Sequence, residues 1–169
     1  MRRVTERAIR AVAVFCGARD GADPRHLAAA SEVGRTLAER GITVVYGGGG
    51  TGLMGAVANG ALGAGGTVVG VIPEALIGPE LAHPDLAELH VVRTMAERKA
   101  MMAELADVFV ALPGGAGTLE EIVEQWSWAM LGYTRSRAGS STCSATGRRC
   151  GSSSRTWSTR ASSPTAAPR

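Results

Sequence analysis

The sequence predicts an α/β fold, a single-domain, three-layer arrangement in which a parallel sheet carries helices on both faces. Three observations predict it. Short β-branched runs alternate with alanine-rich helical patterns, those runs are continuously apolar, and glycines stand at their ends.

Strands are expected at Ala11 to Cys16, Ile42 to Tyr46, Thr67 to Ile72, Leu89 to Val92 and Val108 to Leu112. Each is short, apolar and bounded by breakers, as befits a strand covered on both faces. Helices are expected near His26 to Arg40, Leu53 to Ala64, Thr94 to Leu105 and Thr118 to Leu131. Pro24 near the start of the first helix and Gly41 at its end follow the usual asymmetry of helix termini. Ligands of such sheets bind where strands end and helices begin. Three loops therefore become candidates, after Cys16, after Tyr46 and after Leu112.

Composition divides the 169 residues in two. Residues 1–133 read as one folded domain with enough chain to bury a core. From Thr134 to Arg169 there are ten Ser, six Thr and seven Arg but no Leu, Ile, Val, Met, Asp or Glu. Such a segment cannot bury enough apolar surface to offset its ordering entropy, so a disordered low-complexity tail is expected there. Its mixture is also what GC-rich DNA encodes out of frame. Residues 1–133 hold 11 basic and 15 acidic residues, net −4, whereas the tail carries +7. With no basic stripe on the folded part, nucleic acid is not an expected partner. Cys16 is the only cysteine before the tail, and the three histidines, His26, His83 and His90, form no metal pattern. No metal or cofactor is expected. There is no 18-residue apolar run, and the charged N-terminus lacks a signal-peptide core. A cytoplasmic protein with no membrane partner is the expectation.

Two glycine loops carry the chemistry. Tyr46 to Gly55 reads YGGGGTGLMG, in which Gly47, Gly49 and Gly52 satisfy the dinucleotide pattern G-x-G-x-x-G, although the acid expected about 20 residues on is missing. A tight strand-to-helix turn explains the same residues. In the second loop, Pro113 to Thr118, Pro113 stops the strand and Gly114, Gly115 and Gly117 are expected to allow backbone angles closed to other residues. Successive amides there can form an anion-binding nest. Thr118 and Glu121 also fit a capping box, a competing structural role for Glu121. The apolar stripe Leu119, Ile122, Val123, Trp126 and Met130 is expected to bury one face of the last helix.

The stretch MAERKAMMAEL, Met95 to Leu105, adds a third feature. Arg98 falls within a stripe of Met95, Met102 and Leu105 and so needs an acidic partner or ligand, because an unpaired buried charge is very costly. A guanidinium snorkelling past methionines is the alternative. Lys99, the only lysine, points elsewhere and is expected to be solvated.

Together, VFCGA at Val14, VVYGGGGTGLMGAVA at Val44, GVIPEAL at Gly70, MAERKAMM at Met95 and ALPGGAGTLEEIVE at Ala111 resemble the LOG family of cytokinin riboside 5'-monophosphate phosphoribohydrolases, whose members often carry the name lysine decarboxylase. The resemblance implies a Rossmann-like homodimer that hydrolyses the N-glycosidic bond of AMP or its N6-substituted derivatives, releasing free base and ribose 5-phosphate. It also implies that Arg98 and Glu121 are catalytic. Phosphate is implied to sit on Gly115, Gly117 and Thr118, with Glu80 and Ser127 as further substrate contacts. Ala116, Glu120, Lys99, Gly48 and Gly49 complete the substrate-binding set. After Tyr133 the family's KPV-like strand and closing helix are replaced by the Ser/Arg/Thr tail, which is expected to strip cover from the sheet edge and from Trp126, Trp128 and Met130.

Chemistry agrees with these roles. Cleaving a nucleoside C–N bond builds positive charge on the ribose, which a nearby carboxylate stabilises while it activates water. Arginine does not readily give up a proton, so Arg98 orients Glu121 or balances charge. A catalytically silent nucleotide-binding module is the alternative. A nicotinamide oxidoreductase would leave Arg98 and Glu121 unexplained, and a cofactor-linked decarboxylase would have only Lys99 for its Schiff base.

Overall fold

The computed structural model describes residues 8–78 and 82–133 and the backbone of residues 137–138. Five strands and four α-helices follow in the order β1 (Ala11–Phe15), α1 (Arg25–Glu39), β2 (Thr43–Tyr46), α2 (Gly52–Gly63), β3 (Val68–Pro73), β4 (Glu88–Val92), α3 (Met95–Leu105), β5 (Val108–Ala111) and α4 (Ala116–Leu131), alternating except between β3 and β4, which a 3-10 turn at Glu74–Leu76 joins. All pair in parallel, and the expected elements are present with ends shifted by one or two residues. A two-residue strand, β6 (Arg137–Ala138), pairs with Val108 and Phe109 of β5 and carries the sheet past Tyr133. The rest of the expected tail lies outside the described residues.

The strand order is β4-β3-β2-β1-β5-β6. From β1 the chain builds outward through β2, β3 and β4, then returns to add β5 on the other side of β1. The order therefore reverses between β1 and β5, where the C-terminal ends of neighbouring strands diverge and leave a crevice. Val12 pairs with Val44 on one side and Val108 on the other, so β1 sits at the centre.

Alternation along these strands makes two cores. Val12, Val14, Val44 and Tyr46 face α1 and α2. Ala13, Phe15, Val45 and Val71 face the other way, against Met102 and Ala103 of α3 and Phe109 of β5. Each fully buried Val, Phe or Met contributes about 1.5–3 kcal/mol. Helices α1 and α2 cross in backbone contact: a Cβ on Gly34 would lie 2.0 Å from the Val57 carbonyl oxygen, and one on Gly60 2.0 Å from that of Ser31. The end of α1 is as expected, with Gly41 at φ +68 donating to the Ala38 carbonyl.

Two expectations about helices are overturned. The N-cap of α4 is Gly115, not Thr118, so Thr118 lies inside the first turn and the capping box does not form. A capping pair exists instead at α3. There the Thr94 side chain accepts from the Glu97 amide at 3.1 Å, and the Glu97 carboxylate accepts from the Arg93 amide at 2.8 Å. Of the expected apolar stripe of α4, Ile122 packs against the core, but Leu119, Val123, Trp126 and Met130 are 48–66% exposed, while Thr118, Glu121 and Gln125 are buried. Spacings of three and four residues put those four on one face. The polar face turns inward because its carboxylates meet the cations of α3, described next. The apolar face is left without cover from any described residue.

Candidate active site

All three candidate loops line one cavity of about 780 Å³ at the crevice between β1 and β5. The loop after β1 is tied to the loop after β5, since Gly17 donates its amide to the Pro113 carbonyl at 3.0 Å. Apolar wall comes from Leu53 and Met54 of α2, Ile72, Leu76 and Met95.

Arg98 and Glu121 meet at its base. The Arg98 Nη1 donates to Glu121 Oε1 at 2.7 Å, and its Nε donates to the Val71 carbonyl at 3.0 Å. Both side chains are more than 90% buried. The expectation that Arg98 requires an acidic partner is met, but its stripe is only partly apolar cover, since Met95 and Leu105 are exposed beside a buried Met102. Gly47 supplies the room, because a Cβ there would stand 1.9 Å from Arg98 Nη2. The first glycine of the G-x-G-x-x-G pattern thus accommodates a guanidinium, and Gly52, at φ +61, packs against the backbone of Ala18 and Arg19.

Burial pushes the Glu121 carboxyl above its ordinary value. The Arg98 charge pulls the other way, and the neighbouring Glu120 adds to the rise. A carboxylate so placed is a better base than one in water, while its ion pair keeps it ionised and aimed. Cys16, on the same wall, is pushed up to about 12, first by burial and then by the Glu121 charge, so its thiol stays protonated and is a poor nucleophile.

Lys99 is not solvated, contrary to expectation. It is 7% exposed, and its Nζ pairs with Glu120 Oε1 at 2.5 Å and Glu124 Oε2 at 2.7 Å. Burial alone would lower its ammonium, but the hydrogen bonds it donates to Glu120 and Glu124 outweigh that and raise it. Adjacent residues of α3 therefore grip adjacent residues of α4: Arg98 holds Glu121 and Lys99 holds Glu120. These two contacts fix the rotation of α4 that its apolar stripe alone would not select.

The glycine loop differs in detail from its expected form. None of Gly114, Gly115 and Gly117 has a positive φ. Gly114 is needed for space, since a Cβ would lie 2.1 Å from Thr118 Oγ1, but a Cβ on Gly115 or Gly117 would meet nothing within 4 Å. Their missing side chains leave the cavity open to the α4 N-terminus, where unpaired amides and the helix dipole favour an anion. Gly117→Ala is accordingly expected to leave the melting temperature unchanged or raise it, alanine being the better helix former. The same change is expected to weaken binding of an anion at this helix start through its intruding methyl. Thermal melts and ligand titration of the one variant check both signs.

Of the other sequence candidates, Gly49, Gly115, Ala116, Gly117 and Thr118 line the cavity. Gly48, Lys99, Glu120 and Ser127 do not. Gly48, at φ +78, turns toward Ile72 and Leu89 and accepts from the His83 amide. Ser127 is exposed on α4. Glu80 lies outside the described residues. Sequence reasoning missed Arg19, in the loop after β1, and His26, in the first turn of α1, both of which line the cavity. That loop was a candidate by position, but no motif singled out these two residues.

A family model described as "Possible lysine decarboxylase" matches residues 54–138. A cytokinin riboside 5'-monophosphate phosphoribohydrolase of Rhodococcoides fascians is 53% identical over 124 residues, 73% of this chain and 63% of that protein. The chain belongs to the LOG family. The cytokinin riboside 5'-monophosphate phosphoribohydrolase LOG of Oryza sativa subsp. japonica is 46% identical over 130 residues, 77% of this chain and 54% of its own length. This LOG-family chain thus spans less than two thirds of either relative. Among solved structures, the molybdenum cofactor carrier protein of Chlamydomonas reinhardtii superposes with a TM-score of 0.63 at 26% identity, covering 79% of each chain. The description as a decarboxylase does not suit the LOG-family site here, because the single lysine is held by two glutamates and does not line the cavity.

Proposed function

We propose that the chain is a nucleoside 5'-monophosphate N-glycosidase, hydrolysing AMP or an N6-substituted AMP to free base and ribose 5-phosphate. The observation that carries this reading is the buried Glu121 carboxylate, in the second turn of a helix whose start is open to the cavity, held at 2.7 Å by Arg98. In the proposed reaction the phosphate rests on the amides of the Gly114–Thr118 loop, with the Thr118 hydroxyl beside them. That places the sugar between the loop and Glu121. As the C1'–N bond breaks, its electron pair leaves with the base and positive charge grows on the ribose ring. Glu121 stabilises that charge and takes a proton from the water whose oxygen bonds to C1'. The departing base collects a proton from solvent. Arg98 keeps Glu121 ionised and oriented and transfers no proton. The apolar wall of Leu53, Met54 and Ile72 suits a purine.

Incubation with AMP and with isopentenyladenosine monophosphate, followed by chromatography for free base, tests the reading. Release of adenine or isopentenyladenine is the expected result. Binding of AMP without release would favour the silent nucleotide-binding module.

The working unit on this reading is a cytoplasmic homodimer. Leu119, Val123, Trp126 and Met130 form an apolar strip that a second copy can cover. A dimer or larger species is expected by size-exclusion chromatography with light scattering, and Trp126→Glu is expected to shift it toward monomer. A clean monomer of the unaltered chain would contradict this. Among the described residues no helix is long and apolar enough to cross a membrane.

A further inference from the structure

We propose that Arg19 is the cation that neutralises the substrate phosphate and thereby selects 5'-phosphorylated nucleosides over nucleosides, an inference that rests on the nucleotide reading above. Among the described residues lining the cavity, the arginines are Arg19 and Arg98 and the carboxylate is Glu121. Arg98 is committed: its Nη1 bonds Glu121 and its Nε bonds the Val71 carbonyl. That pair contributes no net charge. A phosphate dianion on the Gly114–Thr118 amides would then lie near the Glu121 carboxylate, a like charge, with only neutral donors from its own loop. Arg19 makes no ion pair with any described residue and is exposed at the cavity wall.

Its backbone is fixed where such a role requires. Gly17 donates to Pro113 at 3.0 Å, and a Cβ on Gly17 would lie 3.3 Å from the Gly114 Cα. The chain around β1 thus touches the phosphate loop two residues before Arg19, a separation of about 7 Å or less along the chain. On its other side the Arg19 carbonyl accepts from the Leu53 amide at 3.4 Å, and the positive-φ Gly52 packs against its amide nitrogen with no room for a side chain. Arg19 is therefore pinned between the two glycine loops at the mouth of the cavity, where a guanidinium can reach an anion seated at the start of α4. Guanidinium forks suit phosphate oxygens, and charge-assisted bonds are the stronger kind.

The test compares the full chain with its Arg19→Met and Arg19→Lys variants. AMP and adenosine are the probes, read by calorimetric binding and by base release. Arg19→Met is expected to weaken AMP binding by about ten- to a hundredfold, to leave adenosine binding unchanged, and to keep the melting temperature of the unaltered chain. Arg19→Lys is expected to recover part of the AMP affinity, and added salt to narrow the gap. Equal AMP affinity in the unaltered chain and Arg19→Met would overturn the proposal. So would parallel losses for AMP and adenosine, which would mean a general disturbance of the cavity. If the unaltered chain binds AMP, Arg19→Met loses it and neither releases base, the Arg19 assignment stands and the hydrolase reading falls. An unaltered chain that binds no AMP overturns both.

Discussion

Glu121→Gln is expected to reduce base release from AMP by about 10²- to 10⁴-fold, the range for losing a positioned acid–base group, while AMP still binds. The substitution preserves shape and an acceptor for Arg98 but removes the charge that answers the developing cation. Glutamine cannot accept the proton from water. The pH profile offers an independent check. Burial holds Glu121 above the ordinary glutamate value of about 4.3, and the carboxylate is the working form. Activity is therefore lost as pH falls through that raised value, at a higher pH than an exposed glutamate would give. A profile that stays flat down to the ordinary value, or a Glu121→Gln variant with full turnover, would remove Glu121 from the mechanism.

Arg98→Met is expected to cost about 3–5 kcal/mol of stability at neutral pH, because it strands a buried carboxylate. Arg98 is the nearest cation to Glu121 and its charge lowers that carboxyl, with a smaller contribution from Lys99. Without Arg98 the folded-state value rises further above the unfolded one. A group raised in this direction contributes stability fully below its unfolded value and loses it as pH rises through its folded value. The deficit of Arg98→Met should accordingly shrink on acidification, as Glu121 becomes neutral, and be largest on the alkaline side. Urea denaturation at two pH values measures it, and an Arg98→Met/Glu121→Leu double variant should regain most of the loss. An identical deficit at both pH values, or no recovery in the double variant, would show that the pair is not the source.

The Arg98–Glu121 contact was half legible in the sequence. Arginine in an apolar stripe announces that it needs a partner, and the motif order of the resemblance supplied which one. What periodicity got wrong was α4. Counting apolar spacings put Leu119, Ile122, Val123, Trp126 and Met130 inside, yet of these Ile122 alone packs against the core, the other four are exposed, and Glu121 and Gln125 are buried. Apolar spacing shows which residues share a face but not whether that face meets the sheet or another molecule. The glycines misled in a related way. Gly115 and Gly117 are not there for unusual backbone angles, and only coordinates reveal that the space beside them is open.

By itself the sequence determined the α/β alternation, the three loops that line the cavity, and the chemical identities of Arg98 and Glu121. Those follow from local patterns of apolar residues and breakers, which act within a few residues of each other. The tertiary structure decided which way α4 faces, that Lys99 is buried between Glu120 and Glu124, and that Gly47 yields its side-chain space to Arg98. These depend on residues 21 to 51 positions apart, brought together because parallel crossovers set the ends of β1, β2 and β5 side by side. Contacts of that range are set by how layers pack, and no local spacing encodes them.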